Sequence, residues 1–138
     1  MSDITLGIIG GGQLGSMMAI AAKKLNIKTV IFCDDGDAPA QNFCNKFIYG
    51  NYNDNEKIAE FVKITDIVTF EFENIPFETL NEINKFKPVL PKPAVNRIIQ
   101  HRLAEKDFIN KLNIRTTRYV SIEKKSDLDF LEDFLPRI

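Results

Sequence analysis

An α/β fold, Rossmann-like in its order, with an open, mostly parallel sheet and helices on both faces, is predicted by three features. Short apolar, β-branched-rich runs alternate with segments of helical periodicity. The runs are continuously apolar, as strands buried on both faces are. The first of them ends directly in glycines, Gly10-Gly11-Gly12, and passes at once into a helical pattern. With 138 residues the chain has the size of one ordinary domain. Such a chain buries roughly two-thirds of its unfolded surface, enough for a core without staples.

Each element follows from local pattern. Ile4 to Ile9 is a buried strand, and Gln13 to Leu25 a helix whose apolar positions are Leu14, Met17, Met18, Ala21, Ala22 and Leu25. Asn26 suits the left-handed residue that ends it. Lys28 to Cys33 is the second strand, stopped by Asp34-Asp35-Gly36, and completes a right-handed βαβ unit. Ala38 to Phe43 predicts a short helix and Lys46 to Tyr49 a third strand. Asn53 or Asp54 caps a helix reaching Val62, with Ile58, Phe61 and Val62 inward. Asp66 to Phe70 is the fourth strand, and Glu71-Phe72-Glu73-Asn74 follows at its carboxyl end. Pro76 to Phe86 is helical, with Leu80, Ile83 and Phe86 inward, and Val89-Leu90 is a short fifth strand between Pro88 and Pro91.

The texture changes at Pro91-Lys92-Pro93, which divides the chain into an expected domain at 1–93 and a second segment at 94–138. Ala94 to Leu112 is the longest helical stretch, with Val95, Ile98, Ile99, Leu103, Phe108 and Leu112 apolar. Arg118 to Ile122 reads as a strand, and Ser126 caps a last helix running through Leu131 and Phe134 to Leu135-Pro136. A helix followed by Pro136, Arg137 and Ile138 looks like the threshold of another strand, so the chain is expected to be cut from a longer one.

Composition excludes several classes. Eighteen Lys and Arg against 19 Asp and Glu leave a net charge of −1, which argues against nucleic-acid binding driven by bulk charge. No run reaches the roughly 18 apolar residues of a membrane helix, and no signal-peptide pattern opens the chain. Cys33 and Cys44 are too few for a disulfide framework and lack metal-ligand spacing, so a reduced, cytoplasmic protein with both thiols in or near the core is expected.

Three groups could carry chemistry. Gly10-x-Gly12-x-x-Gly15 lies between a strand and a helix, where glycine permits a tight turn and close ligand approach, and the helix offers free N–H groups. Asp34 at the end of the second strand stands where a dinucleotide-binding domain places its ribose acid, so an NAD-type site is one reading and a turn-capping carboxylate another. Glu71 and Glu73 project to the same side at the carboxyl edge of the sheet, where open α/β sheets bind ligands. They could bind sugar hydroxyls, a cation or a protonated base, or be loop acids. Arg97, Arg102 and Lys106 form a basic feature, with Arg102 and Lys106 on one helical face, interleaved with Glu105 and Asp107 as a salt-bridged surface would be. His101 reads as a surface or capping residue.

Several of these residues together resemble the ATP-grasp enzymes of purine biosynthesis, and within them the N5-carboxyaminoimidazole ribonucleotide synthase family. Gly10-Gly11-Gly12-Gln13-Leu14-Gly15-x-Met17-Met18, Asp37-Ala38-Pro39-Ala40 and Thr69-Phe70-Glu71-Phe72-Glu73-Asn74-Ile75-Pro76 carry the resemblance. So do Pro91-x-Pro93, Gln100-His101-Arg102-x-x-x-Lys106 and Leu112-Asn113-Ile114-Arg115-Thr116, so that it spans essentially the whole chain. It implies a ligase that turns ATP and bicarbonate into carboxyphosphate and carboxylates 5-aminoimidazole ribonucleotide. Gly12, Gln13, Leu14, Glu71 and Glu73 would then hold that ribonucleotide, and Arg102 would reach ATP phosphates. The family works with Mg2+ and is commonly dimeric, and its metal-binding and catalytic lobes would lie beyond Ile138, leaving this fragment without catalytic residues and inactive alone. Ser16, His101 and Asn113 depart from the family's usual Arg, Asp and Gly. Three readings stand beside it: an NAD(P)-binding dehydrogenase domain using Gly10, Gly12, Gly15 and Asp34; a formate-dependent glycinamide ribonucleotide transformylase, which typically has Glu where Gln13 stands; and a truncated, non-catalytic gene product.

Overall fold

Four parallel strands form the sheet in the computed structural model, which describes residues 4–133. They are β1 (Thr5–Ile9), β2 (Lys28–Cys33), β3 (Lys46–Tyr49) and β4 (Ile67–Phe70), in the order β3-β2-β1-β4. Five helices accompany them: α1 (Gln13–Lys24), α2 (Asn55–Ile64), α3 (Phe77–Asn84), α4 (Pro93–Ile99) and α5 (Arg102–Lys111). The chain divides into two compact units, the first ending at Gln100 and the second beginning at His101. The expected division after Pro93 falls at the first residue of α4, which packs on α3 within the first unit.

Burial explains the strands. Ile8 and Ile9 of β1, Ile31 and Phe32 of β2 and Val68 of β4 are fully buried, as a sheet covered on both faces requires. One cluster joins Ile9, Phe32, Val68, Phe61, Ile75, Leu80 and Ile83. A smaller one on the opposite face joins Ile8, Ile31, Cys33, Ala38 and Ala40. Caps end the helices largely as expected. Asp54 accepts from the Glu56 and Lys57 amides at 2.9 and 3.1 Å, and Asn26 adopts φ +56° after α1. Removing the cap with Asp54→Ala is expected to cost about 1 kcal/mol, read as a lower urea midpoint with unchanged slope. In the second unit Asn113 takes φ +61°, a conformation Asn tolerates better than most non-glycine residues, so its replacement of the family's Gly keeps the helix end.

Several expectations are corrected. Residues 38–43 form only a 3₁₀ turn, Pro39–Asn42, too short to become α-helical. Val89 makes an isolated bridge with Val68 in place of a fifth strand, because Pro88 and Pro91 have no N–H to extend a ladder. The long helix is two helices. His101 leaves the helical region at φ −120°, ψ 109°, and its Nδ1 accepts from the Ala104 amide at 3.4 Å, so it is the N-cap of α5. Arg118 to Ile122 pairs with no strand among the described residues and is irregular. Residues 125–133 form a 3₁₀ segment, within which Asp127, not Ser126, accepts the preceding amides of Glu123 and Lys124. The expected helix end at Leu135-Pro136 lies outside the described residues, as does Phe134.

The largest correction concerns which face α1 buries. Leu14, Met17 and Leu25 are mostly exposed, and Gly15, Ser16, Ala19 and Ala22 face inward. Gly15 explains the rotation: a Cβ there would lie 2.7 Å from the Gly10 carbonyl oxygen, so the helix approaches the turn more closely than any side chain allows. Gly15→Ala is therefore expected to lower stability by about 1–3 kcal/mol in urea unfolding, against a gain of about 0.4–1 kcal/mol at an ordinary helical glycine. α3 likewise buries Leu80 and Ile83 but leaves Phe86, beyond its end, exposed.

Candidate functional site

The carboxyl ends of β1 and β4 are neighbours, because Ile9 and Phe70 are register partners. Two loops therefore leave the sheet side by side, the glycine turn 10–12 and the loop beginning at Glu71. The turn needs glycine where the chain reverses. Gly10 has φ +104°, and a Cβ there would meet the Glu71 carboxylate at 2.8 Å. The 3₁₀ turn after β2 supports it from the other side, with the Ala40 amide donating to the Gly11 carbonyl at 3.0 Å. That is the physical work of the Asp37-Ala38-Pro39-Ala40 segment.

Glu71 is the group this geometry singles out. Its amide donates to the Ile9 carbonyl at 3.2 Å, continuing the β4 pairing by one residue. Its Oε1 accepts from the Gly12 amide, also at 3.2 Å. A carboxylate thus occupies the turn where a dinucleotide-binding loop would offer its N–H groups to pyrophosphate. Half-buried, it keeps acceptor capacity for a second partner, since an ionised carboxylate has two oxygens. Asp34, just past β2, is exposed.

The other expected residues divide. Gln13 opens α1 and is exposed, and Leu14 beside it is also exposed, so both stand at the mouth of the turn. Leu14, Met17, Met18, Ala21, Phe70 and Glu71 line an open groove of about 460 Å3, apolar except for the carboxylate at its edge. Glu73 is exposed, and its side chain has no partner among the described residues. Ser16 turns inward and its hydroxyl donates to the Gly12 carbonyl at 2.9 Å, bracing the turn from beneath. In the second unit Arg102 pairs with Glu105 at 2.7 Å and remains mostly exposed. Lys106 donates to the Thr117 hydroxyl at 3.0 Å and lies 5.6 Å from the Tyr119 ring centre. Arg97 belongs to the first unit and stacks over Phe77 at 5.2 Å.

A larger groove of about 610 Å3 opens between α2 and α3, lined by residues that include Ile58, Val62, Lys63, Glu82 and Phe86. It reaches neither the glycine turn nor Glu71, and its size alone assigns it no chemistry. Cys33 is buried and Cys44 half-buried, both as free thiols, and the Tyr52 hydroxyl donates to Cys33 Sγ at 3.8 Å. No three His, Cys, Asp or Glu among the described residues are grouped to hold a metal ion. No helix there is long and apolar enough to cross a membrane.

Two residues of the site escape a sequence reading. Asn96 is fully buried and donates to the Ile75 carbonyl at 3.0 Å. Gln100 donates to the Glu73 and Ile75 carbonyls, each at 2.7 Å. The signals are faint: Asn96 lies on a helix with Val95, Ile98 and Ile99, and Gln100 stands in a motif of the family resemblance without a role attached. Of the apolar residues Val95, Ile98 and Ile99, the first and last are exposed and Ile98 is half-buried, while Pro93 and Asn96 are buried.

Comparison with known proteins agrees with this fold. The family model of the ribonucleotide synthetase preATP-grasp domain matches residues 3–100. The bifunctional purine synthesis protein purC/E of Dictyostelium discoideum is 43% identical over 124 residues, covering 90% of this chain and 12% of that protein. The N5-carboxyaminoimidazole ribonucleotide synthase of Brucella melitensis is 37% identical over 124 residues, covering 90% of this chain and 34% of its own length. Among solved structures, the Aspergillus clavatus N5-carboxyaminoimidazole synthase in complex with ADP and 5-aminoimidazole ribonucleotide superposes with a TM-score of 0.82 at 25% identity, covering 97% of this chain and 36% of that one. The chain thus spans about a third of the length of the synthases it matches.

Proposed function

Because the chain belongs to the ribonucleotide synthetase preATP-grasp family, we propose that it is the ribonucleotide-holding domain of an N5-carboxyaminoimidazole ribonucleotide synthase. The enzyme would be an ATP-dependent ligase that carboxylates 5-aminoimidazole ribonucleotide with bicarbonate through carboxyphosphate. One observation carries this reading over a dinucleotide site: the Glu71 carboxylate sits on the Gly12 amide. A fixed anion at the turn repels pyrophosphate and attracts a ligand rich in donors, such as ribose hydroxyls and an exocyclic amine. Gly12, Gln13 and Leu14 would form the wall opposite Glu71, with Glu73 at the rim. The apolar groove beside them would take the flat face of the imidazole.

Arg102 would contribute a cation to ATP phosphates. Among the described residues its exposed guanidinium is held by a single ion pair, which leaves donors over. The described residues do not fit Mg2+, since no ligand group is assembled among them, so no part of this role runs through the ion. Bicarbonate as co-substrate, a homodimer and a cytoplasmic setting complete the reading. The domain division at 1–93 and 94–138 also belongs to it, with α4 serving both as the end of the first unit and as the lead into the second.

Calorimetric titration of the chain with 5-aminoimidazole ribonucleotide and with NAD tests it. Binding of the ribonucleotide and not of NAD is expected. Binding of NAD, or of neither, overturns it. The chain alone is also expected to show no ATP hydrolysis above background when the ribonucleotide is added. Hydrolysis that rises with the ribonucleotide would mean that these 138 residues hold a complete phosphoryl-transfer site.

A further inference from the structure

We propose that Gln100 and Asn96 are positioning residues, a two-amide clamp through which α4 fixes the Glu71–Ile75 loop and so holds the Glu71 carboxylate on the glycine turn. The proposal deepens the reading of Glu71 as a substrate-holding group and rests on it for its effect on ligand affinity, though not for the clamp itself.

The loop is tethered at its start by β4, where the Glu71 amide pairs with Ile9 at 3.2 Å. Beyond Phe72 it has left the sheet, and its internal turn is closed by a long bond of 3.3 Å from the Ile75 amide to the Phe72 carbonyl. Its carbonyls at Glu73 and Ile75 point toward α4. Gln100 meets both, one N–H of its amide to each at 2.7 Å, so the two donors of one nitrogen bridge carbonyls two residues apart. Asn96 adds a second donor to Ile75 at 3.0 Å, filling both acceptor directions of that oxygen.

Asn96 is fully buried, and its Oδ1 finds no partner among the described residues. An apolar side chain would be easier to bury there, so the amide's function is its donated bond to Ile75. The helix that carries the amides is itself held to α3 by Arg97 over Phe77 at 5.2 Å. Gln100, at the helix end, is further fixed by its own amide bond to the Asn96 carbonyl at 3.0 Å. The Ile75 side chain is buried in the main core, so the far end of the loop is pinned on two sides. The loop held by these pins carries the Glu71 carboxylate, which must meet Gly12 across 59 residues of sequence.

The variant Gln100→Met keeps the length and helix preference of the side chain and removes both donors; the position is exposed, so the fold survives. Hydrogen exchange and amide chemical shifts of the chain read the clamp directly. Loss of two bonds is expected to speed exchange at the Ile75 amide about tenfold and to move the Gly12 amide resonance, with the melting of the core barely changed. Titration with 5-aminoimidazole ribonucleotide should show weaker binding by a similar factor. Unchanged exchange at Ile75 overturns the clamp whatever the ligand does. Faster exchange with an unmoved Gly12 resonance and wild-type affinity overturns the positioning of Glu71 while leaving the functional reading intact. If the unaltered chain binds no ribonucleotide, the functional reading fails, and the exchange and Gly12 data still decide the clamp.

Discussion

Glu71→Gln is expected to weaken binding of 5-aminoimidazole ribonucleotide by about 10- to 100-fold, the range of one charge-assisted hydrogen bond of about 1.5–3 kcal/mol. The substitution is nearly isosteric. The amide oxygen can still accept from Gly12, as Oε1 does now at 3.2 Å, so the turn keeps its shape. What disappears is the negative charge and the acceptor capacity of the second oxygen, which becomes an NH2 facing the ligand's own donors. Urea unfolding should move by less than about 1 kcal/mol, because the contact is only half-buried. Glu73→Gln serves as the comparison: that side chain is exposed and should change affinity by less than about threefold, as an exposed charge does. Equal affinities for Glu71→Gln and the unaltered chain would return Glu71 to the status of a loop acid. A large effect from Glu73→Gln would place the ligand further out than the glycine turn.

The second large effect is on stability. Phe61→Ala is expected to cost about 3–5 kcal/mol, a large part of what holds a domain of this size together. Phe61 is fully buried on α2, with its ring centre 5.6 Å from that of Phe32 on β2, and Phe32 in turn meets the Tyr52 ring at 5.4 Å. The ring also packs flush against β1, since a Cβ at Gly7 would lie 2.5 Å from its tip. That contact makes a second expectation possible. Gly7→Ala should destabilise the unaltered chain by about 1–3 kcal/mol through overpacking, but much less in the Phe61→Ala background, where the ring is gone. Thr65 Cγ2, 2.9 Å from the same point, keeps the rescue partial. Additive costs in the double variant would show that the clash is relieved by backbone movement and not by the ring.

Much of this was written locally. The glycine turn, the strand ends and the helix caps depend on neighbours in sequence, and Asp54, Asn26 and His101 act where short-range chemistry puts them. Strand pairing failed where no neighbouring strand is present among the described residues, as at Arg118 to Ile122, or where proline lacks an N–H, as at Val89-Leu90. The helices show a subtler loss. In α1 and α4 the apolar stripe is real, but the buried face is rotated away from it, leaving Leu14, Met17, Val95 and Ile99 exposed. A small-residue face of Gly15, Ser16, Ala19 and Ala22 lets α1 settle on the turn, and that close approach turns Leu14 and Met17 out to line the groove.

The sequence by itself determined the order of strands and helices, the place of the glycine turn at the end of β1, and the presence of Glu71 at the end of β4. These follow from periodicity and backbone freedom, which act over a few residues. Only the tertiary structure decided that Glu71 closes on Gly12, that α1 buries its small face, and that Asn96 and Gln100 seize the loop behind Glu71. The contacts of Glu71, Asn96 and Gln100 join atoms 21 to 59 residues apart at 2.7 to 3.2 Å. Periodicity specifies a helix's stripe but not what lies opposite it, and a hydrogen bond is specified only when both partners have been brought to the same place.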